Sequence, residues 1–243
     1  MKVVAIIQAR MGSTRLPGKI MKEVLNKSLL EYQIERVKRA KFIDEIVIAT
    51  TTAESEKPII NLCEKLSIKY FRGSEADVLS RYYKAAKTFE ADVVVRMTSD
   101  CPLIDPDIID QVVQYYIDNV DKFDYVSNTI KRTFPRGMDV SVFSFKTLNN
   151  VYNVATDSVD REHVTRYIYN NPKKYRLGYV INSIDVSNHR WTVDTIEDFN
   201  LISKMLKELY PQNRKFTMED CIVLLNRKPE WKKINSDIEQ KKV

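Results

Sequence analysis

Three cations, two hydroxyls and two glycines stand within residues 9–19 of this 243-residue chain. The run reads Ala9-Arg10-Met11-Gly12-Ser13-Thr14-Arg15-Leu16-Pro17-Gly18-Lys19. Glycine lets backbone N–H groups approach an anion with no Cβ in the way. Arg10, Arg15 and Lys19 add positive charge, and Ser13 and Thr14 add hydroxyl donors. The whole chain has only five glycines, so two in one loop is a concentration. Such a loop suits a triphosphate, although a merely solvated basic loop shares its composition. It is not the Gly-x-x-x-x-Gly-Lys-Ser/Thr loop of nucleotide-binding proteins, because Ile20 follows Lys19.

The other chemistry-bearing residues are sparser. Asp100 follows a run of β-branched residues in Arg96-Met97-Thr98-Ser99-Asp100-Cys101-Pro102, and Asp194 closes Arg190-Trp191-Thr192-Val193-Asp194. Taken alone, each is a helix-capping aspartate. Asp105-Pro106-Asp107 imitates a glycosyltransferase DxD motif but reads better as a helix start, with Asp105 as cap and Pro106 in the first turn. The histidines are His163 and His189, and no Ser-His-Asp or Cys-His arrangement is evident. Cys63, Cys101 and Cys221 lie far apart with no Cys-x-x-Cys pair, which predicts reduced thiols.

Elements must position these groups. Val3–Gln8 is a β-branched run suited to a strand buried on both faces, with the basic loop at its end. Ser28 caps a helix running through Leu29, Leu30, Tyr32, Ile34 and Val37. Strands follow at 46–50, 68–71 and 92–97, with helices at 54–66 and 76–89 between them. This alternation predicts a largely parallel sheet with helices on both faces, whose ligands bind beyond the carboxyl ends of the strands. Further on, strands at 124–128 and 139–143 are joined by a Pro-Arg-Gly turn at 135–137. A helix at 158–170, strands at 175–181 and 190–193, a helix at 195–209 capped by Thr195 and a last helix at 217–227 complete the reading. No repeat or linker divides residues 1–243, so one domain is expected, with 129–185 as an excursion from the sheet.

Net charge is +6, spread along the chain with local excess around Arg36 and Lys232. Neither cluster interleaves aromatics, which speaks against a nucleic-acid surface. No apolar run approaches the roughly 20 residues that span a bilayer. The first apolar residues are followed at once by Gln8 and Arg10, so they read as a strand in a cytoplasmic protein.

The 9–19 run resembles the opening of the cytidylyltransferases that activate acidic sugars, among them the CMP-ketodeoxyoctonate and CMP-sialic acid synthetases. It is most similar to the spore-coat polysaccharide protein F branch, and the likeness extends over roughly residues 2–205. The resemblance implies a three-layer αβα, Rossmann-like nucleotide-diphospho-sugar transferase fold with a mostly parallel mixed sheet. It implies that Ala9, Arg10, Met11, Gly12, Ser13, Thr14, Arg15 and Lys19 hold the triphosphate of CTP. It makes Asp100 and Asp194 ligands of Mg²⁺, a hard ion that takes oxygen donors and few protein contacts. Arg72, Gly73, Ser74, Asp77 and Val78 match the segment against the nucleobase. Thr98 replaces the Gln that the sugar-acid enzymes keep two residues before the metal aspartate. Arg136, Asp139, Arg161, Glu162 and His163 fall in stretches that lie toward a sugar-like acceptor, where Arg136 and Arg161 could pair bidentately with a carboxylate or phosphate. A packing role for His163 stays open beside that one.

The chemistry so implied is attack of an acceptor hydroxyl on the α-phosphorus of CTP, with pyrophosphate leaving. Arg10, Arg15, Lys19 and Asp100 carry it, the cations neutralising charge on the leaving group. Two other readings stay open: a glycosyltransferase using a nucleotide-sugar, and a non-catalytic nucleotide- or nucleic-acid-binding module. A triphosphate needs three loop cations more than a diphosphate-sugar does, and carboxylates would not help hold a polyanion without metal. A homodimer built partly on 129–185 is suggested by the family alone.

Overall fold

The computed structural model describes residues 1–239. Strand β1 (Val3–Gln8) shows why the fold has layers. Val3, Ala5 and Ile7 enter one apolar cluster, and Val4 and Ile6 enter another. A period of two therefore gives the strand a core on each face. The basic loop and a 3₁₀ turn (Lys19–Met21) lead to a small hairpin of β2 (Glu23–Val24) and β3 (Lys27–Ser28). Leu25 and Asn26 turn it at φ 51° and 60°.

Helix α1 (Leu29–Val37) starts where Glu31 N–H donates to Ser28 Oγ. Leu29, Leu30 and Ile34 are buried, each contributing roughly 1.5–3 kcal/mol. Their sum exceeds the ~1 kcal/mol of such a cap, so packing fixes the helix and the cap fixes where it begins. The alternation continues through β4 (Glu45–Thr51), α2 (Lys57–Lys65), β5 (Lys69–Gly73), α3 (Val78–Thr88), β6 (Val93–Thr98) and α4 (Pro106–Ile117). Asp105 caps α4 through the Asp107 N–H and also accepts from the Met218 N–H, so its role is the structural one expected. Then come β7 (Tyr125–Ser127), β8 (Ser141–Ser144), α5 (Phe145–Val154), α6 (Ser158–Glu162), α7 (Arg166–Tyr169), β9 (Leu177–Tyr179), α8 (Ile196–Leu209) and α9 (Met218–Arg227).

The sheet runs β5-β4-β1-β6-β8-β7-β9. Among the described residues six of these strands point one way and β8 alone runs against them, a mostly parallel mixed sheet as expected. Helices α1, α2, α4, α8 and α9 cover one face, and α3, α5 and the α6–α7 region the other. The carboxyl ends of β1, β4, β5 and β6 lie along one edge, where the basic loop begins.

Two expectations need correction. The helix read at 158–170 is broken, because His163 leaves helical geometry at φ −103°, ψ 43° and Val164 turns into the second core. The strand read at 190–193 does not join the sheet and makes only an isolated bridge, Arg136 to Arg190. It passes instead beneath the loop after β6, with Val193 N–H donating to the Asp100 carbonyl. Helix α5 was not expected at all. The last four positions of the chain, part of the expected domain, lie outside the described residues.

Candidate active site

The basic loop is shaped by its own backbone and one hidden carboxylate. Gly18, at φ 65°, donates its N–H to the Met11 carbonyl at 3.1 Å and closes the loop on itself. Leu16 is buried, and its N–H meets Ser13 Oγ at 3.3 Å. Beneath the loop, Glu56 accepts from the Met11 N–H at 2.9 Å and from the Thr50 and Thr51 hydroxyls at 3.1 and 3.2 Å. The effect is to fasten the loop to the end of β4.

Above it opens a cavity of about 710 Å³. Its walls include Arg10, Gly12, Ser13, Thr14, Arg15 and Lys19 from the loop, Asp100 and Asp194 opposite, and Glu162 and His163 beyond. Lys19 Nζ sits 3.1 Å from Asp100 Oδ2 and 2.8 Å from Asp194 Oδ1. Asp100 Oδ1 also accepts from the Thr98 hydroxyl at 2.6 Å and the Cys101 thiol at 3.4 Å. Burial alone would push the Asp100 carboxyl up. The Lys19 charge and these hydrogen bonds outweigh it and hold the carboxyl at about 2. Burial opposes the charge of Lys19 likewise, and the two aspartates reverse it, so its pKa is raised.

Asp194 is held by more cations than Asp100. Arg15 Nη2 lies 3.0 Å and Arg190 Nη2 2.9 Å from its Oδ2. Arg190 is in turn held by Asp198, which is fully buried. Asp198 accepts from Arg190 Nε and Nη2 at 2.9 and 3.0 Å, from the Asp194 and Thr195 N–H groups at 2.9 and 3.1 Å, and from Asn235 Nδ2 at 2.8 Å. Burial raises the Asp198 pKa, but Arg190, Asn235 and the backbone donors win and lower it. A saturated buried carboxylate thus props the residue that props Asp194.

A second cavity of the same volume, about 710 Å³, adjoins the first. Thr98 and His163 line both, so the two share a wall there. The second is lined by Arg96, Arg132 and Arg136, with Asp139 its single carboxylate. Arg132 grips Asp139 at 2.6 and 2.9 Å. Tyr125, Tyr169 and Leu177 supply flatter, less polar walls.

The structure places some expected residues elsewhere. Arg72 donates to the carbonyls of Thr51, Thr52 and Ala53 at 3.2, 2.7 and 3.2 Å and holds that loop instead of lining the cavity. Gly73 packs against Phe71 and Arg81. The Ser74 carbonyl accepts from Arg81, and its hydroxyl accepts from the Asp77 N–H. Asp77 caps α3 and takes Arg161 Nε and Nη2 at 2.9 and 2.7 Å. Arg161 also donates to the Tyr152 and Ala155 carbonyls, so it welds α6 to α3 and lines neither cavity. The cavity wall from this stretch is made by Glu75, Ala76, Val78 and Arg81. Met11 and Ala9 contribute backbone: the Met11 N–H goes to Glu56, and the Ala9 N–H to the Ala49 carbonyl.

The family model described as cytidylyltransferase matches residues 4–241. The chain belongs to the cytidylyltransferase family. It is 33% identical over 235 residues to the spore coat polysaccharide biosynthesis protein SpsF of Bacillus subtilis, covering 94% of this chain and 95% of that one. A solved cytidylyltransferase from Leptospira borgpetersenii superposes with a TM-score of 0.92 at 34% identity, covering all of both chains. CMP:2-keto-3-deoxy-manno-octonic acid synthetase, solved with CTP, shares the fold at a TM-score of 0.64 and 17% identity, over 86% of this chain and 100% of that one. The fold is therefore the Rossmann-like nucleotidyltransferase one, and the protein is a nucleotidyltransferase.

For this cytidylyltransferase the carboxylate pair offers the donors a hard divalent ion prefers. Asp100 follows β6 and Asp194 precedes α8, and the two converge on one point, which the Lys19 ammonium marks as a place for a cation. Among the described residues no group of three or more acidic, His or Cys side chains gathers to hold a metal. Two carboxylates with phosphate and water as the remaining ligands is the arrangement magnesium tolerates best, so the residues fit the ion. No helix of the described residues is long and apolar enough to cross a membrane.

Proposed function

We propose that this cytidylyltransferase couples CTP to an anionic sugar in a magnesium-dependent reaction, giving a CMP-sugar and pyrophosphate for surface polysaccharide or glycan synthesis. The observation that carries the proposal is the shared wall. A basic loop with two carboxylates lies on one side of Thr98 and His163, and a cavity with three guanidinia and a single carboxylate on the other. An acceptor in the second cavity faces the α-phosphate of a nucleotide in the first. SpsF supports the polysaccharide context by its name, and the synthetase solved with CTP supports the donor.

Arg10, Arg15 and Lys19 draw the triphosphate down onto the loop and stabilise the charge that grows on the departing pyrophosphate. Asp100 and Asp194 would hold Mg²⁺, which supplies charge neutralisation at the phosphate and polarises what it binds. Arg136 and Arg96 attract the acceptor's anionic group, and the pair Arg132–Asp139 shapes the wall beside it. The acceptor oxygen forms its bond to the α-phosphorus as the bridge to the β-phosphate breaks, with no covalent enzyme intermediate. We place the reaction in the cytoplasm and in a homodimer, which light scattering on the purified protein tests.

Pyrophosphate release is the decisive assay, with CTP, UTP, GTP and ATP each offered against acidic and neutral sugars, with and without Mg²⁺. Release that requires CTP, magnesium and an acidic sugar is the expected result. Release that is equal with neutral sugars would remove the role of the second cavity.

A further inference from the structure

Lys19 occupies the position where the two carboxylates point. Its ammonium touches one oxygen of Asp100 and one of Asp194, at 3.1 and 2.8 Å. A divalent ion held by both aspartates needs that same point. Two cations in contact repel, and in a partly buried cavity water screens them poorly. Lysine differs from the arginines here in having a long, flexible stem and a compact charge, so it is the group able to leave. The other anion within its reach is a triphosphate on the loop, since Lys19 lines the same cavity as Ser13 and Thr14. Arg190 remains on the far oxygen of Asp194, at 2.9 Å, and keeps that carboxylate in place meanwhile.

We infer that Lys19 is the resident counter-ion of the Asp100–Asp194 pair, and that it yields the position when a nucleotide arrives with its own divalent ion. This deepens the function proposed above and rests on it for the identity of the nucleotide. Metal alone must evict Lys19 with nothing for the ammonium to move onto. Nucleotide alone must draw Lys19 off the pair and leave Asp100 without a cation. Together, each removes the obstacle to the other, and the coupling is reciprocal by thermodynamic necessity. The site therefore takes metal and nucleotide as a unit and binds either one poorly by itself.

The test is Mn²⁺ binding to the nucleotide-free protein, followed by loss of the free-ion electron paramagnetic resonance signal. Wild type is compared with Lys19→Met and with Lys19→Gln, the second serving where the first folds poorly. Both variants are expected to bind Mn²⁺ at least about tenfold more tightly than wild type, inside the roughly 5–150-fold span of coupled sites. Adding Asp100→Asn to the Lys19 variant abolishes the gain, which locates it at this pair. Affinity for Mn²⁺ equal to or weaker than wild type in the folded variants overturns the inference. The readout does not depend on turnover. A gain in Mn²⁺ affinity in the variants with no pyrophosphate release from CTP by the wild type keeps the counter-ion role and rejects the proposed reaction, whereas release by the wild type without the gain in the variants does the reverse.

Discussion

The two cavities are equal in volume and opposite in electrostatic state. In the first, every loop cation already holds a carboxylate: Arg10 with Glu75, Arg15 with Asp194, and Lys19 with Asp100 and Asp194. In the second, only Asp139 stands against Arg96, Arg132 and Arg136. The first cavity is balanced, and on the function proposed above its partners rearrange around an incoming triphosphate. The second keeps an excess of positive charge. Charge balance thus separates the two, although both are lined with arginine.

Breaking the foundation of the first cavity has the largest expected effect. Asp198→Ala takes from the buried Arg190 the carboxylate that holds its Nε and Nη2 and frees the Asp194 and Thr195 N–H groups, at a cost of about 3–5 kcal/mol in unfolding free energy. Denaturant titration checks this, and a loss under about 1 kcal/mol would show that Asn235 and the backbone hold the segment without it. Next comes Asp100→Asn, expected to lower kcat by about 10²–10³-fold with the fold intact, measured by pyrophosphate release. Near-full turnover with magnesium would take Asp100 out of the reaction.

The second cavity should respond differently. Arg136→Ala is expected to raise KM for the acceptor by about 10–100-fold, the worth of one charged hydrogen bond, while KM for CTP stays fixed. A rise in both would mean that the shared wall does not separate the two sites. Acid sharpens the same contrast. The Asp100 carboxyl ordinarily titrates at 3.8 and is held at about 2. A lowered folded pKa gives stability that is complete above the unfolded value and is lost as pH falls through the folded one. Melting temperature should therefore fall between about pH 4 and pH 2, and Asp100→Asn should flatten part of that fall. The smallest effect belongs to Arg10→Ala. Its pair with Glu75 is 48% and 56% exposed, so stability should change by less than about 1 kcal/mol. KM for CTP should still rise, and an unchanged KM would remove Arg10 from the phosphate wall.

Much of the first cavity was legible because it is local. The loop lies between β1 and α1, and its composition announced an anion site before any contact was known. Helix caps at Ser28, Asp105 and Thr195 were equally readable, since a cap spans three residues, whereas the cap at Thr217 was not read. What escaped was routing over distance. Lys19 meets Asp194 across 175 positions, Arg161 meets Asp77 across 84, and Asn235 meets Asp198 across 37. No period or spacing encodes those choices. The resemblance set Arg161 toward the acceptor, but Asp77 and two carbonyls claim its guanidinium and it lines neither cavity. Glu56 and Arg132 carried no motif at all, and Arg96 stood in one without being given a role, because a charged residue looks solvated until its neighbours are known. Helix α5 was hidden for a related reason: Asn149, Asn150 and Asn153 on its outer side are weak helix formers, and packing of Leu148 and Val151 decides it.

Gly137 adds a mechanical consequence. Its backbone, at φ 101°, lies so close to Trp191 that a Cβ there would stand 2.7 Å from the Trp191 carbonyl carbon. The Trp191 N–H donates to the Arg136 carbonyl, and the Arg136 N–H to the His189 carbonyl, at 2.7 and 3.0 Å. The segment carrying Arg136 and the segment leading to Asp194 are therefore riveted into one plate. Displacing the Arg136 backbone must therefore displace the Trp191 backbone with it, so the turn at Gly137 behaves as one piece with the approach to Asp194.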